Sequence, residues 1–407
     1  MNTTLLLPRV QAAYRWYILA LAALTHTLVV GMPTMSLPVL FPTIAQDLKL
    51  SVVQIGVVWG MGSLTGIVMV LLGGMIGDRI GAKRTLVIMT LLTGLLGGAR
   101  GLALNYPLLL VTVFLTGLVQ PVVPINVHKT CGNWFPGRQL GMANGIVSMG
   151  MALGFMLGSL LSASVLAPWL GGWRNVLLFY GAIALLVSAA WSVTQPLPTG
   201  GGDKGSTVMS AAPPMRLALH EGILQVLRLR NVWFLGFAMF GIGGAIQGAL
   251  GYLPLYLQGV GWPAAMADSA LATFHAVSMI FAIPIAIFSD RLGSRRSILL
   301  VTSLMITTGI GLLTVTAGPW VWPAVILAGI SRDGFMAVLI TSIMEVKGVG
   351  AQSGVAIGLV MACSMLASVL APPLGNSLAA SAPGLPYALW AGMALLGWFG
   401  FVLFREQ

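Results

Sequence analysis

Twelve apolar runs, each long enough to cross a lipid bilayer, constrain this 407-residue chain more than any other feature. A helix needs about 20 predominantly apolar residues to span the hydrocarbon core. Runs bounded by charge, glycine or proline occupy 16–41, 51–76, 85–104, 107–130, 141–166 and 175–195. A second set occupies 231–257, 267–289, 297–317, 319–343, 352–371 and 384–404. They are too long and too uniformly apolar for strands, and they lack the alternation of a membrane barrel. The chain therefore reads as an all-α membrane protein of twelve transmembrane helices. Its 20 Lys+Arg and 9 Asp+Glu make up 7% of the residues, against about 25% in an ordinary soluble domain. So few charges cannot cover a soluble globule, which excludes a soluble enzyme, a disordered chain and a secreted disulfide scaffold.

The first run contains Ala20-Leu21-Ala22, a mimic of a signal-peptide cleavage site, but it continues to Phe41. That is too long for a cleavable segment, so it reads as a retained first span. Cys131 and Cys363 form neither a disulfide framework nor a metal pattern and read as small buried hydrophobes. No metal or other cofactor is expected.

The net charge of +11 marks sidedness rather than nucleic-acid binding. Arg9, Arg15, Arg79, Lys83, Arg84, Lys129, Arg138, Lys204, Arg216, Arg228, Arg230, Arg291, Arg295, Arg296, Lys347 and Arg405 fall on one side, and Lys49, Arg174 and Arg100 on the other. Positive residues stay in the cytoplasm, so both termini are expected there, in a multi-pass protein of the cell membrane. Between the two sets of spans, residues 196–230 open with Pro196, Pro198, Gly200–Gly202 and Pro213-Pro214, a helix-breaking composition. Residues 1–195 thus read as one six-helix half, 196–230 as a cytoplasmic linker and 231–407 as the second half. The end of the linker, Arg216–Arg230, alternates leucines with arginines and reads as an amphipathic helix on the membrane surface.

The halves repeat. The loop after span 2 reads Gly74-Met75-Ile76-Gly77-Asp78-Arg79-Ile80-Gly81-Ala82-Lys83-Arg84. The loop after span 8, 212 residues on, reads Ala286-Ile287-Phe288-Ser289-Asp290-Arg291-Leu292-Gly293-Ser294-Arg295-Arg296. Internal repeats of this kind are built into transporters, with the site near the bilayer midplane between the repeats. The first loop resembles the signature between helices 2 and 3 of the major facilitator superfamily, and the second falls where that family has a weaker copy. Trp134-Phe135-Pro136 before span 5 and Gly172-Trp173-Arg174 before span 6 resemble further landmarks of prokaryotic-type members. The resemblance covers nearly the whole chain. It implies the major facilitator fold, alternating access, a monomer, and a cavity lined by helices 1, 4, 7 and 10. It also implies a gating role for Gly74, Asp78, Arg79, Gly81, Lys83 and Arg84, and for Asp290, Arg291, Gly293, Arg295 and Arg296. On this view Asp78 meets the positive N-terminal end of span 11 near Gln352 when the cytoplasmic side is closed, and Asp290 meets that of span 5. Span 5 carries Gly141, Gly145, Gly150, Gly154 and Gly158. They form a small-residue packing face, which the resemblance sets against span 8.

Two family patterns are missing: Val111–Leu115 carries no arginine, and span 5 has no Gly-Pro pair. The second absence weighs against a drug/proton antiporter.

The sharpest signal for a site is Arg332-Asp333 inside span 10. A charge at the centre of an apolar helix costs roughly 2.5–3.5 kcal/mol on insertion scales and usually faces a cavity. Two readings stay open: an anion-binding arginine with Asp333 as neutraliser or proton carrier, or a buried pair that cements helix packing. Gln120 in span 4 lies 212 residues before Arg332. Asn126, Gln247 and His26 are the other polar groups on the expected cavity helices, and each serves equally well as an interhelical hydrogen bonder. His275 in span 8 is a candidate for proton coupling beside Asp333, because histidine titrates near neutrality. His128 and Lys129 read as topology markers. Gly241-Ile242-Gly243 lacks the third glycine and the preceding strand of a dinucleotide loop, and no enzyme motif is found. The leading expectation is a transporter of a small organic anion, with protons as the candidate coupling ion. The alternative is an exporter of drug-like or cationic compounds, and a more remote one is a transporter-like receptor that does not translocate.

Overall fold

The computed structural model describes residues 6–135, 137, 139–195, 224–316 and 318–404. Among them helix follows helix and no strand forms. Eleven helices are long and apolar enough to cross a membrane, and a twelfth, Arg295–Leu312, has 18 residues and supplies span 9. The twelve-helix all-α architecture expected from the sequence is the one observed.

Span 1 runs Leu6–Thr25, takes a π turn at His26–Gly31 and continues as Met32–Leu48. Span 2 is Val52–Ile80, and span 3 is Ala82–Ala99 with a tight turn Arg100–Leu102. Span 4 is Tyr106–Val119 and Val122–Trp134, broken at Gln120-Pro121. Span 5 is Gln139–Leu161 extended by a π turn Ser162–Leu166, and span 6 is Trp173–Val193. The second half repeats the plan with Arg230–Gly259, Ala264–Leu292, Arg295–Leu312, Val321–Glu345, Ser353–Ser377 and Leu385–Leu403. Span 1 outruns its expected end at Phe41 because Ala45, Asp47 and their neighbours keep coiling beyond the apolar stretch. Within residues 216–230, only 224–230 are described. Gln225 Nε2 donates to Gly348 O at 2.9 Å, which rests this end of the linker on the loop between spans 10 and 11.

Helix ends follow local chemistry. Ser51 and Gln54 form a reciprocal capping box at the start of span 2. Asn105 and Ser294 accept backbone N–H bonds at the starts of spans 4 and 9. The two signature loops turn on Gly81 and Gly293, whose φ of 87° and 69° disfavour any residue with a side chain.

The span 5 glycines pack against span 1, not against span 8 as the resemblance implied. A Cβ added at Gly150 would stand 2.7 Å from Ala23 O, and one at Gly154 would stand 2.7 Å from Thr27 O. Gly158 closes on Met32 in the same way, and Thr27 Oγ1 donates to Gly150 O at 2.7 Å. Gly141 and Gly145 have open space instead, with nothing within 4 Å of an added Cβ. Span 5 does meet span 8, with the Phe155 ring 5.3 Å from that of His275. Gly154→Val should therefore lower the melting temperature of the detergent-purified protein, by overpacking that costs about 1–3 kcal/mol. Gly145→Ala should leave it within experimental error. Equal effects at the two positions would show that the glycine face does not hold spans 1 and 5 together.

Candidate functional site

The two halves are joined by hydrogen bonds on the side away from the signature loops, the far side. Trp59 Nε1 on span 2 donates to Gln247 O on span 7 at 2.7 Å. The indole lies flat enough on span 7 that a Cβ at Gly251 would come within 2.2 Å of it. Asn376 Nδ2 on span 11 donates to Val52 O at the start of span 2, at 2.8 Å. Ser164 Oγ at the far end of span 5 donates to Asp268 Oδ2 at the start of span 8, at 2.6 Å. On the loop side the charges stay within their own halves: Lys129 pairs with Asp78 at 2.7 Å, and Arg295 with Asp290 at 2.5 Å and with Glu345 at 3.4 Å. Among the described residues, the hydrogen bonds that join the halves thus lie on the far side.

Midway between the two sides, span 10 brings Arg332 Nη1 to 2.5 Å from Asp333 Oδ1. The two need not have faced each other on a helix, yet the long arginine stem folds back to its neighbour. Both side chains remain about a quarter exposed, 23% and 25%. The Asp333 backbone N–H also donates to the buried Ser278 Oγ on span 8 at 3.1 Å. The Arg332 guanidinium lies 5.6 Å from the Phe155 ring of span 5, and that ring lies 5.3 Å from His275. Arg332, Asp333, His275 and Phe155 thus form one layer reaching across the halves. His275 is 1% exposed and its Nε2 has no hydrogen-bond partner.

The remaining sequence candidates divide. Gln120 sits at the break in span 4, and its Nε2 reaches Val29 O and Thr34 Oγ1 on span 1, both at 3.4 Å. Val29 is four residues before Pro33, which has no N–H to offer its carbonyl, so Gln120 supplies the missing donor. Asn126 is fully buried between spans 4 and 2: its Nδ2 donates to Gly73 O at 3.2 Å and Val122 O at 2.9 Å. Gly77 leaves room for its side-chain oxygen, which an added Cβ would overlap at 1.8 Å. His26 is buried with Nδ1 3.1 Å from Val147 O, its ring 5.2 Å from His128. The structure does not bring Asn126 or His26 to the Arg332 layer. Gln247 is half-buried in the far-side seam.

In the signature loops, Asp78 pairs with Lys129, which also donates to Gly74 O at 2.5 Å. Lys129 therefore clasps the first loop to span 4. Lys83 donates to Thr194 O at the end of span 6, and Arg296 to Phe401 O and Val402 O at the end of span 12. Arg79, Arg84 and Arg291 are exposed. The expected approach of Asp78 to Gln352 and of Asp290 to span 5 is not made in this state, in which each aspartate is held by a cation of its own half.

The sequence matches the family model of the Major Facilitator Superfamily over residues 19–372. The chain belongs to this superfamily. A hexuronate transporter of Bacillus subtilis (strain 168) is 25% identical over 226 residues, covering 54% of this chain and 52% of that protein. The chain thus spans about half the length of this relative. A 3-(3-hydroxy-phenyl)propionate transporter of Escherichia coli (strain K12) is 26% identical over 367 residues, 86% of each chain. Among solved structures, a bacterial homolog of the human lysosomal transporter Spinster, in an inward-facing and unoccupied conformation, superposes with a TM-score of 0.75. It has 17% identity and covers 96% of this chain and 95% of that one. The superfamily is one of membrane transporters, not enzymes.

Sequence reasoning passed over Asp268, although it is a carboxylate at the edge of an apolar run in a chain with 9 acidic residues. That rarity was the available signal. Asp268 is fully buried and its second oxygen has no hydrogen-bond partner, so Ser164 is what holds it across the seam. Landmarks of the superfamily also gain a role here. Trp173 Nε1 donates to Asp47 Oδ2 at 3.0 Å, and Arg174 Nη2 at 2.8 Å, which fastens span 6 to the end of span 1. Asp268→Ala should weaken the far-side seal, raising the population of the far-side-open state seen in spin-label distance measurements by about 5- to 10-fold for the loss of roughly 1 kcal/mol. Asp268→Asn keeps an acceptor for Ser164 and should perturb that population less. Identical distributions in Asp268→Ala and the parent would remove this bond from the seal.

Proposed function

We propose that the chain is a secondary active transporter that moves a small organic anion across the cell membrane by alternating access of halves 1–195 and 231–407, joined through 196–230. Arg332 is the anion contact. The observation that carries this reading is a guanidinium near the middle of a membrane span that keeps 23% of its side-chain surface and is met by a single carboxylate, Asp333. A cation at that depth needs polar or negative partners that lipid cannot supply. Asp333 engages Nη1, and the other donors of the planar fork have no hydrogen-bond partner among the described residues, so a carboxylate can dock on them in two-pronged fashion. The solutes named for the two relatives, a hexuronate and a hydroxyphenylpropionate, are both carboxylates.

In this reading the loop side is cytoplasmic, because 16 of the chain's cations cluster there by sequence, and the structure is an inward-open state. Asp333 and His275 carry the coupling proton, one beside the guanidinium and the other behind Phe155. Gln120 and Gln247 border the pathway, and the signature-loop residues work as the cytoplasmic gate once Asp78 and Asp290 exchange partners. The protein acts as a monomer.

The test is uptake of radiolabelled galacturonate and 3-(3-hydroxyphenyl)propionate into proteoliposomes with matched protein amounts. Arg332→Lys keeps the charge but loses the fork, and KM should rise about 10- to 100-fold, as expected for losing one charge-assisted bond. Arg332→Gln should abolish uptake. Normal uptake by Arg332→Gln/Asp333→Asn would mean that the two residues only neutralise each other, and the anion site would be rejected. Export of a cation lost on Asp333→Asn alone would install the exporter reading in its place.

Orientation is tested separately. Ser206→Cys in intact cells should react with membrane-permeant maleimide and not with an impermeant one. Labelling by the impermeant reagent would invert the assigned orientation.

A further inference from the structure

At the depth of Arg332 the two halves touch through an aromatic ring. Five cation–π contacts occur among the described residues, and four of them stay within one half, as with Arg174 over Trp173 and Arg230 over Phe234. The fifth crosses: Arg332 Cζ on span 10 stands 5.6 Å from the centroid of the Phe155 ring on span 5. Ring–ring contacts follow the same pattern. Among the described residues, the one that crosses between the halves is Phe155 with His275 of span 8, at 5.3 Å. Both crossings use the same ring, and both end in the Arg332 layer.

The partners in this contact sit on separately clamped pairs of helices. Span 5 is held to span 1, because Gly150, Gly154 and Gly158 leave no room for a side chain between them. Phe155 follows Gly154 and lies about 100° further round the helix, off the face that meets span 1. Span 10 is held to span 8. An added Cβ at Gly329 would stand 2.7 Å from Phe274 O, and one at Gly334 would stand 2.6 Å from the Ile285 side chain. The Asp333 N–H bond to Ser278 Oγ at 3.1 Å adds to that grip. Asp333, the ion-pair partner of Arg332, is the next residue on the same helix. It moves wherever span 10 moves and ties the guanidinium to nothing outside that helix. The half-buried Phe155 ring supplies a hold from the opposite half.

An arginine stem has several rotatable bonds, and a fork already aimed binds a carboxylate better than one that swings among rotamers. A guanidinium stacked on a ring face keeps its N–H donors at the rim, free for other partners. We infer that Phe155 is a positioning residue for anion binding: it holds the Arg332 guanidinium from span 5, so that the donors not used by Asp333 stay open to a carboxylate. The inference rests on Arg332 being the anion contact. It divides the site between the halves, with the fork on span 10 and the surface that orients it on span 5.

The test is uptake of radiolabelled 3-(3-hydroxyphenyl)propionate and galacturonate into proteoliposomes, with KM and kcat measured separately. Phe155→Leu removes the ring face, and KM should rise about 3- to 10-fold while kcat changes less. Phe155→Met, closer in volume, repeats the measurement where the leucine variant folds poorly. Phe155→Tyr keeps the face and should recover most of the affinity. A packing role alone would lower the amount of active protein, and so the maximal rate, and leave KM in place. The decisive comparison is a double-mutant cycle. In Arg332→Lys, which has no planar fork to aim, adding Phe155→Leu should raise KM no further. A Phe155→Leu effect that persists in full beside Arg332→Lys would mean that the ring acts other than through the fork, and the inference would be overturned. A KM unchanged in both Phe155→Leu and Phe155→Met, beside a raised KM in Arg332→Lys, would overturn this inference alone. Normal uptake by Arg332→Gln/Asp333→Asn would remove the anion site itself, and this inference with it.

Discussion

Inside a bilayer there is no water to accept or donate a hydrogen bond, and each backbone group must find its partner within the protein. One departure from regular helix in span 1 shows that demand directly. Pro33 frees the carbonyl of Val29, and Gln120 from span 4 reaches it at 3.4 Å. Thr25, Thr27 and Thr34 return their hydroxyl protons to carbonyls four residues back on span 1. Asn126 spends its amide on Gly73 O and Val122 O. These polar residues are thus spent on backbone carbonyls within reach, and this separates them from Arg332, whose fork exceeds what its neighbours accept.

The two halves share a sequence repeat but not the same electrostatic fastening. In the first half Asp78 finds Lys129 on span 4. In the second, Asp290 finds Arg295 of its own loop, and Glu345 on span 10 faces that arginine from the other side. Each arrangement ties the signature loop to the loop-side end of the cavity helix in its own half. Exposed pairs of this kind contribute little energy individually, so they can be exchanged for contacts across the halves at small cost. The far-side seam is of another kind: the indole of Trp59 is seated on Gly251, and Asp268 and Asn376 are buried. The bonds that join the halves are thus packed and buried, whereas the loop-side charges are exposed pairs held within their own halves.

The extent to which the site was legible varied with the physics behind each residue. Arg332-Asp333 stood out because charge in an apolar helix is costly wherever the helix packs. The twelve helices and the signature turns were legible for the same reason: hydropathy, proline and glycine act within a few residues of themselves. Asn126 and His26 looked equivalent to Gln120 in sequence, since all three are polar groups in apolar spans. Their fates differ only because Asn126 faces span 2, His26 faces span 5 and Gln120 faces the break in span 1. Of the span 5 glycines, Gly150, Gly154 and Gly158 do form a packing face, but its partner is span 1, because a small-residue stripe specifies closeness without specifying a neighbour.

What the sequence alone determined was the set of helices, the charge bias between their two ends and the family they resemble. These are local or cumulative properties that hold in any arrangement of the spans. The tertiary structure decided that glycines 150–158 meet span 1, that Asp78 is held by Lys129 and that Asp268 is bonded to Ser164 across the halves. Each of these depends on which helix faces reach one another across the chain. That is set by side-chain fit among twelve nearly uniform apolar surfaces, a fit that hydropathy cannot distinguish.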